Sequence, residues 1–467
     1  MENIQVDVAV IGAGTAGLAA YRAAVAQKKR TVLIESGTYG TTCARVGCMP
    51  SKLLIAAAEA AHSVSRWPTF GLHGICQVDG AAVLARVKRE RDRFVGFVVQ
   101  GVENIPAHDK RQGRAHFLSP DCLQVDNASG EGLCRIKAER IVIATGSRPF
   151  IPPELAAVHS RVVVNDDIFS WNILPQSVAV IGTGVIGLEL GQALHRLGVK
   201  VSLIGRGARL GVFADPVVRE VAAAALAAEL PLYRYTQLTA ARLVDHGVAL
   251  TWCDEHGACH EETVEYLIAA AGRIPNVDQL GLQHSGLALD QRGIPYYDPQ
   301  TMQCGDSAIF IAGDANGDLP LLHEAADEGK IAGDNAVSFP QVTAGLRRTP
   351  LAIVFTEPQM AVVNGGYAAL PVGVEVVCGR VDFSDQGRSR VMLQNQGCLH
   401  VYAERASGRF LGAELVAPAA EHLAHLLAWA HQMQLTVPQM LQLPFYHPVI
   451  EEGLRTALRD AAAQLSL

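Results

Sequence analysis

Apolar and polar positions along this chain switch between a period of two and a helical period, and they do so twice in the same way. "VDVAVIGAGTAGLAA" opens with a β-branched run, passes through three glycines and leaves into an Ala/Leu-rich helical pattern. The same order returns at residues 177–191 as "SVAVIGTGVIGLELG". Each copy predicts a buried strand, a tight turn and a helix. Two more apolar runs, "ERIVIATGSRP" and "SAIFIAGDAN", predict buried strands ending in Ala144-Thr145-Gly146 and in Gly313-Asp314. "EVAAAALAAELPL" is alanine-rich with charges at both ends and predicts a helix facing water, and "EHLAHLLAWAHQMQ" predicts an amphipathic one. The pattern therefore predicts an α/β fold with two Rossmann-like dinucleotide-binding domains, followed from about residue 345 by a mixed α+β region.

The glycine spacing has a physical reason. In G-x-G-x-x-G the first glycine permits the tight turn, the second lets backbone approach a pyrophosphate, and the third lets helix pack on strand. Those positions are Gly12, Gly14 and Gly17 in the first copy, and Gly182, Gly184 and Gly187 in the second, where Val185 and Ile186 open the helix. The helix N-terminus then offers free N–H groups to phosphates. In the first copy the next strand, "RTVLIE", ends in Glu35, placed to accept from ribose hydroxyls or simply to end a strand in solvent. Thr145 and Gly146 end a strand beside the same site. Asp314 fits either a ribityl-chain ligand or a cap on the next helix. Two dinucleotides in one chain suggest a flavin and a nicotinamide. The second copy then interrupts the first domain, giving FAD-binding segments 1–148 and 277–344, a nicotinamide domain 149–276 and a third domain 345–467.

A chain of 467 residues is long enough for two to four domains, and half apolar content is that of a folded globular protein. A formal charge of −7 with no basic run argues against nucleic acid or acidic membrane surfaces as partners. No stretch reads as a membrane span, and the apolar N-terminus lacks the basic leader of a signal peptide, so a cytoplasmic setting is expected. Ten cysteines are too sparse for a secreted disulfide scaffold. Eight of them (Cys76, Cys122, Cys134, Cys253, Cys259, Cys304, Cys378 and Cys398) show no metal-ligand spacing and are expected to be inert small hydrophobes.

Cys43 and Cys48, in "GTTCARVGCMPSK", remain. Zinc is disfavoured because no second ligand pair accompanies them, so no metal site is expected. On an ideal helix, residues five apart have Cα atoms about 8–9 Å apart, whereas a disulfide wants about 7 Å or less. The bond closes only if the helix is distorted between them, which Gly47 would ease. Such strained local pairs are the readily reduced kind, which points to a redox dithiol. A dithiol needs a base to form thiolate, and "FYHPVIEEGLRTALRD" offers His447 with two acids just beyond, although a structural histidine reads equally well.

Together these residues resemble the flavin-dependent pyridine nucleotide–disulfide oxidoreductases, and most of all the members that oxidise dihydrolipoamide. The resemblance runs from about Val6 to Leu458. The family's G-G-T-C-x-N-V-G-C-x-P-S-K is matched from Gly40 to Lys52, and its H-P-T-x-S-E by His447 to Glu452. The resemblance implies that Cys43 is the exposed interchange sulfur, that Cys48 lies buried against the flavin, and that Glu452 orients His447. It places Lys52 and Glu189 as a pair against the flavin ring, and Gly272 and Arg273, in "AAGRIPN", near the nicotinamide. Ser36, Thr41, Thr42, Ala115 and Leu322 join the FAD-binding set. It also implies one non-covalent FAD per subunit, a homodimer built by residues 345–467 with His447 supplied across it, and a possible place in a 2-oxoacid dehydrogenase complex.

The departures are specific. Thr41 stands where the family has glycine, Ala44-Arg45 replace an apolar residue and asparagine, and Val449 and Glu451 replace threonine and serine. "VKVSLIG" ends in Gly205-Arg206 where an NAD-selecting enzyme carries Glu, and Arg206 is either a partner for a 2′-phosphate or a solvated charge. The kept third glycine, Gly187, favours NAD over NADP. The expected reaction is oxidation of the lipoyl dithiol by NAD⁺ through FAD. The alternative is an NADPH-dependent reductase of a small disulfide, and a remote one is a non-catalytic flavoprotein. The ending "AAAQLSL", without a cysteine pair, leads away from metal-ion reductases.

Overall fold

The computed structural model describes residues 2–127 and 129–466. They form two compact units. The first comprises residues up to Pro50, Arg89–Phe150 and Arg273–Arg347; the second comprises Ser51–Lys88, Ile151–Gly272 and Arg348 onward.

In the first unit the opening β-branched run is the strand Glu2–Ile11, at the centre of a sheet. It pairs in parallel with Thr31–Glu35 on one side and with Gly132–Ile143 on the other. The far edge of the long strand Gly132–Ile143 is shared. Its first half takes the antiparallel strand Cys122–Asp126, and its last residues take Ile309–Ile311. Alternate residues of the central strands fill two separate cores, as a pleated sheet covered on both faces requires. Ala9, Ile11 and Ile34 lie in one; Val8, Val10 and Leu33 lie in the other, under the helices Thr15–Ala26 and Leu322–Ser338. Those two helices approach closely because Gly329 and Gly333 carry no side chain. A Cβ on either would lie 2.2 Å and 2.6 Å from the carbonyl oxygens of Ala16 and Ala20.

The second unit repeats the device. The strand Ser177–Ile181 sits between Lys200–Ile204 and Tyr266–Ala269, all parallel. The helix Val185–Arg196 covers one face with Leu188, Leu190 and Leu194. A three-stranded antiparallel sheet, Thr236–Val244, Gly247–Asp254 and Cys259–Val264, covers the other with Leu250 and Trp252. From residue 351 a five-stranded antiparallel sheet follows, backed by the helices Ala420–Gln432 and Glu451–Ala463. "EHLAHLLAWAHQMQ" buries Leu423, Ala424 and Leu427 and leaves Leu426, Trp429 and Met433 exposed. Among the described residues no helix is long and apolar enough to cross a membrane.

One sequence expectation is corrected here. Cys253 and Cys259 are not inert hydrophobes but a disulfide. They stand directly opposite each other in the register of the hairpin, with Cα atoms 4.0 Å apart, and only that register brings them together.

Arg196 ends the second glycine-turn helix and is nearly buried between two acids. It bonds Glu229 through Nε at 2.6 Å and Glu357 through Nη1 at 2.7 Å. Burial alone would push the Glu357 carboxyl up, but Arg196, Gln394 and Arg66 outweigh it and hold the group at about 2. A carboxyl depressed from an ordinary 4.5 stabilises the fold above pH 4.5, and that contribution is lost as pH falls toward 2. The Glu357→Gln variant should lose on the order of 3 kcal/mol at neutral pH. In urea melts the deficit relative to wild type should shrink once pH drops below 4.5; a constant deficit down to pH 3 would contradict this account.

Candidate functional site

The first glycine turn is built by backbone contact. The strand ends at Ile11, and Gly12 takes φ +108°. A Cβ there would sit 2.3 Å from the carbonyl oxygen of Ala144, and one on Gly17 would sit 1.8 Å from that of Gly12. Gly14 is different. It caps the helix without a side-chain bond, and a Cβ added to it meets nothing within 4 Å. It opens onto a cavity of about 510 Å³ lined also by Gly12, Glu35, Ser36, Thr41, Thr42, Ala115, Thr145 and Gly146. Nine sequence-predicted residues thus share one wall. The Glu35 carboxylate accepts the N–H groups of Ala13 and Gly37, each at 2.7 Å, which fixes it while leaving lone pairs for a ligand hydroxyl. The Thr145 hydroxyl is buried without a hydrogen-bond partner, a deficit of roughly 1–3 kcal/mol that a polar ligand group would relieve. Free helix N–H groups, a fixed acid and an orphaned hydroxyl fit a dinucleotide such as FAD.

Other predicted residues of this unit stand nearby in sequence and bonding. Asp314 does not cap a helix; its Oδ2 accepts from the Ser147 hydroxyl at 2.6 Å, next to Gly146. Arg273, expected near the nicotinamide, donates to Ser147 Oγ and to the Ser147 carbonyl, both at 2.7 Å. Leu322 is the first residue of its helix and half-exposed.

Thr41 and Thr42, on the cavity wall, lead directly into the dithiol. Cys43 lies in the short helix Thr42–Val46, and Cys48 begins the next, Cys48–His62. Gly47 breaks them apart with φ −121° and ψ −114°. The helix distortion expected from spacing is therefore present as a full break. Thr41 has φ +57°, and its hydroxyl accepts the Ala44 N–H at 3.3 Å, so the residue standing where the family has glycine caps the helix that carries Cys43. Cys43 is half-buried and Cys48 is exposed when protein atoms alone are counted. The protein atoms of this chain do not themselves shield Cys48.

In the second unit, Lys52 and Glu189 form the pair foreseen for them. The ammonium lies 2.7 and 2.9 Å from the two carboxylate oxygens of a buried Glu189, which also accepts the Phe355 N–H at 2.9 Å. The second glycine turn copies the first. Gly182 has φ +121° with Ala270 oxygen 2.3 Å from an added Cβ, Gly187 would collide with Gly182 at 2.0 Å, and Gly184 is open. Val185 and Ile186 start the helix, Gly272 has φ +126°, and Arg206 is exposed.

His447 and Glu452 also come together. Nδ1 lies 2.9 Å from Glu452 Oε2, and a carboxylate only accepts, so Nδ1 carries the proton and Nε2 is left as the acceptor of the neutral ring. The His447 bond first, with help from Arg455 at 3.0 Å, holds the Glu452 carboxyl below its ordinary value. Sequence reasoning missed Arg455, one of many arginines at helical spacing.

Two strand–glycine-turn–helix units, one joined to a cysteine pair, define a dinucleotide-binding redox protein. Residues 6–329 match the pyridine nucleotide-disulphide oxidoreductase family and residues 351–458 its dimerisation domain, so the chain belongs to that family of FAD-dependent, NAD(P)-binding oxidoreductases. It is 31% identical to a mercuric reductase of Acidithiobacillus ferrooxidans over 97% of this chain and 82% of that protein. It is 30% identical to dihydrolipoyl dehydrogenase 3 of Pseudomonas aeruginosa over 97% of both. The structure of LpdA from Mycobacterium tuberculosis superposes with a TM-score of 0.82 at 25% identity, covering 97% of this chain and 99% of that one.

The Gly14→Ala variant separates folding from binding. The added methyl meets no protein atom, so the melting temperature of the flavin-free protein should match wild type, while flavin retained through purification falls several-fold. Gly17→Ala should instead fail to fold. Equal flavin content in Gly14→Ala and wild type would remove this turn from the cofactor site.

Proposed function

We propose that this protein carries two electrons between a small dithiol, with dihydrolipoamide as the first candidate, and a nicotinamide nucleotide, through FAD and the Cys43–Cys48 pair. The supporting observation is that Thr41 and Thr42, on the wall of the dinucleotide cavity, run straight into the helix that carries Cys43. The reaction starts from a Cys43–Cys48 disulfide. His447 Nε2 takes the proton of the first substrate thiol, with Glu452 balancing the imidazolium charge. The substrate thiolate attacks Cys43, forming a mixed disulfide and releasing Cys48 as thiolate. The second substrate thiol then attacks the mixed disulfide, closes the substrate's own disulfide and frees Cys43. Two electrons now reside in the cysteine pair. FAD, when bound, supplies the two-electron step from that pair to the nicotinamide. Glu189 fixes the Lys52 ammonium over the Phe355 ring, 4.4 Å from its centroid.

A homodimer belongs to the proposal, with residues 345–467 as its dimerisation domain, 1–148 and 277–344 as the FAD domain and 149–276 as the nicotinamide domain. Exposed Leu426, Trp429 and Met433 support it, and the family's arrangement would bring His447 to the dithiol of the other subunit. In the oxidising direction NAD⁺ is the expected acceptor. A reducing direction driven by NADPH competes, and the observation favouring it is Gly205-Arg206 in place of an acid.

Cys43→Ser and Cys48→Ser should each abolish lipoamide turnover while flavin stays bound. His447→Gln should lower kcat by about 10²–10⁴-fold. Rates with lipoamide and NAD⁺, set against glutathione disulfide and NADPH, test substrate and direction. Full lipoamide activity in Cys48→Ser would defeat the scheme.

A further inference from the structure

The chain contains its own control for reading the second nucleotide site. In the first copy Gly12 N–H bonds the Ile34 carbonyl at 2.7 Å, and the next residue is Glu35. In the second copy Gly182 N–H bonds the Ile204 carbonyl at 2.8 Å, and the next residue is Gly205. The residue after the first glycine is Ala13 in one copy and Thr183 in the other. Positions 13 and 35 therefore correspond to 183 and 205. In the first copy the small Ala13 leaves room for the acid, and its own N–H holds the Glu35 carboxylate at 2.7 Å.

In the second copy both members of the pair have changed, and each explains the other. A Cβ on Gly205 would lie 2.7 Å from Thr183 Oγ1 and 2.8 Å from its Cγ2. Thr183 cannot give way easily. It is 5% exposed, its branched side chain has few rotamers, and its hydroxyl donates to the Arg209 carbonyl at 2.7 Å. Its own carbonyl accepts the Gly211 N–H at 2.8 Å. The threonine thus occupies the room a carboxylate would need and ties down the loop that follows. That loop, 205–209, carries Arg206 and Arg209, both exposed and, among the described residues, without an acidic partner.

We infer that Thr183 is a specificity-determining residue: by holding position 205 free of any side chain it removes the acceptor for an adenosine ribose diol and leaves a cationic loop that selects a 2′-phosphorylated nucleotide. This rests on the reading that the second glycine turn holds the nicotinamide nucleotide. It reverses the preference for NAD drawn from Gly187, because Gly187 is required by its contact with the Gly182 carbonyl whichever nucleotide binds. The ribose hydroxyls find no carboxylate, whereas a phosphate dianion gains charge-assisted bonds to guanidinium.

The test uses the flavin-loaded protein and two probes, 2′,5′-ADP and 5′-AMP, with binding measured by calorimetry. Wild type should bind 2′,5′-ADP about ten- to a hundredfold more tightly, and Arg206→Ala with Arg209→Ala should erase the difference. Gly205→Glu alone should gain no affinity for 5′-AMP, whereas Thr183→Ala combined with Gly205→Glu should gain it and lose 2′,5′-ADP. Equal binding of the two probes by wild type, or a full gain from Gly205→Glu alone, overturns the role of Thr183. If 2′,5′-ADP binds selectively but NADPH does not reduce the flavin, the inference stands and the proposed electron relay fails.

Discussion

Two carbonyl oxygens govern this structure, those of Gly12 and Gly182. Each lies so close to the helix that follows it that a Cβ on the facing glycine, Gly17 or Gly187, would come within 1.8 or 2.0 Å. Any side chain there would drive the helix off its strand. With glycine the helix seats directly on the strand end, its N-terminal N–H groups face outward, and the following strand delivers its last residue to the same edge. The placement of Glu35 and the open space at Gly14 follow from that one contact, and they are the geometry a phosphate would need. Because the constraint is steric and backbone-made, it persists while residues around it change.

That persistence made the fold legible. Three glycines at fixed spacing after a β-branched run report a geometry that no other residue tolerates, and both copies adopt it. The strands ending at Ile143 and Ile311 were legible for a similar reason: continuous buried apolar runs in a sheet covered on both faces leave little else to be. Nine residues expected at the cofactor site line one cavity, and most of them end or follow strands of that sheet.

What the sequence hid depends on register and on pairs distant along the chain. Cys253 and Cys259 look like any two cysteines until the hairpin sets them opposite each other. Thr183 and Gly205 are separated by a whole helix, and neither is unusual alone. Arg455 reaches Glu452 only because both sit on one turn of Glu451–Ala463. Asp314 resisted for another reason. An acid after a strand fits a cap as well as a ligand; in the fold it caps no helix and accepts from Ser147.

Thr41, one of the departures from the family's pattern, and Thr183 act alike on the loops that carry them. Thr41 keeps the positive φ that its glycine counterpart would adopt freely, and it compensates with a hydroxyl that caps the helix carrying Cys43. A β-branched residue at φ +57° and ψ +151° stands in a region nearly reserved for glycine, at a cost of roughly 1–3 kcal/mol, which a single N-cap bond of about 1 kcal/mol offsets in part. The threonine therefore costs some stability relative to glycine, and in exchange its hydroxyl fixes the start of the dithiol helix. Thr183 does the same at the second turn, with its hydroxyl on the Arg209 carbonyl. In both places a small polar side chain stiffens the loop after a nucleotide-binding strand without touching the glycine contact beneath. Changes of this kind alter what the site accepts and leave the scaffold intact, which is how relatives with different substrates come to share one fold.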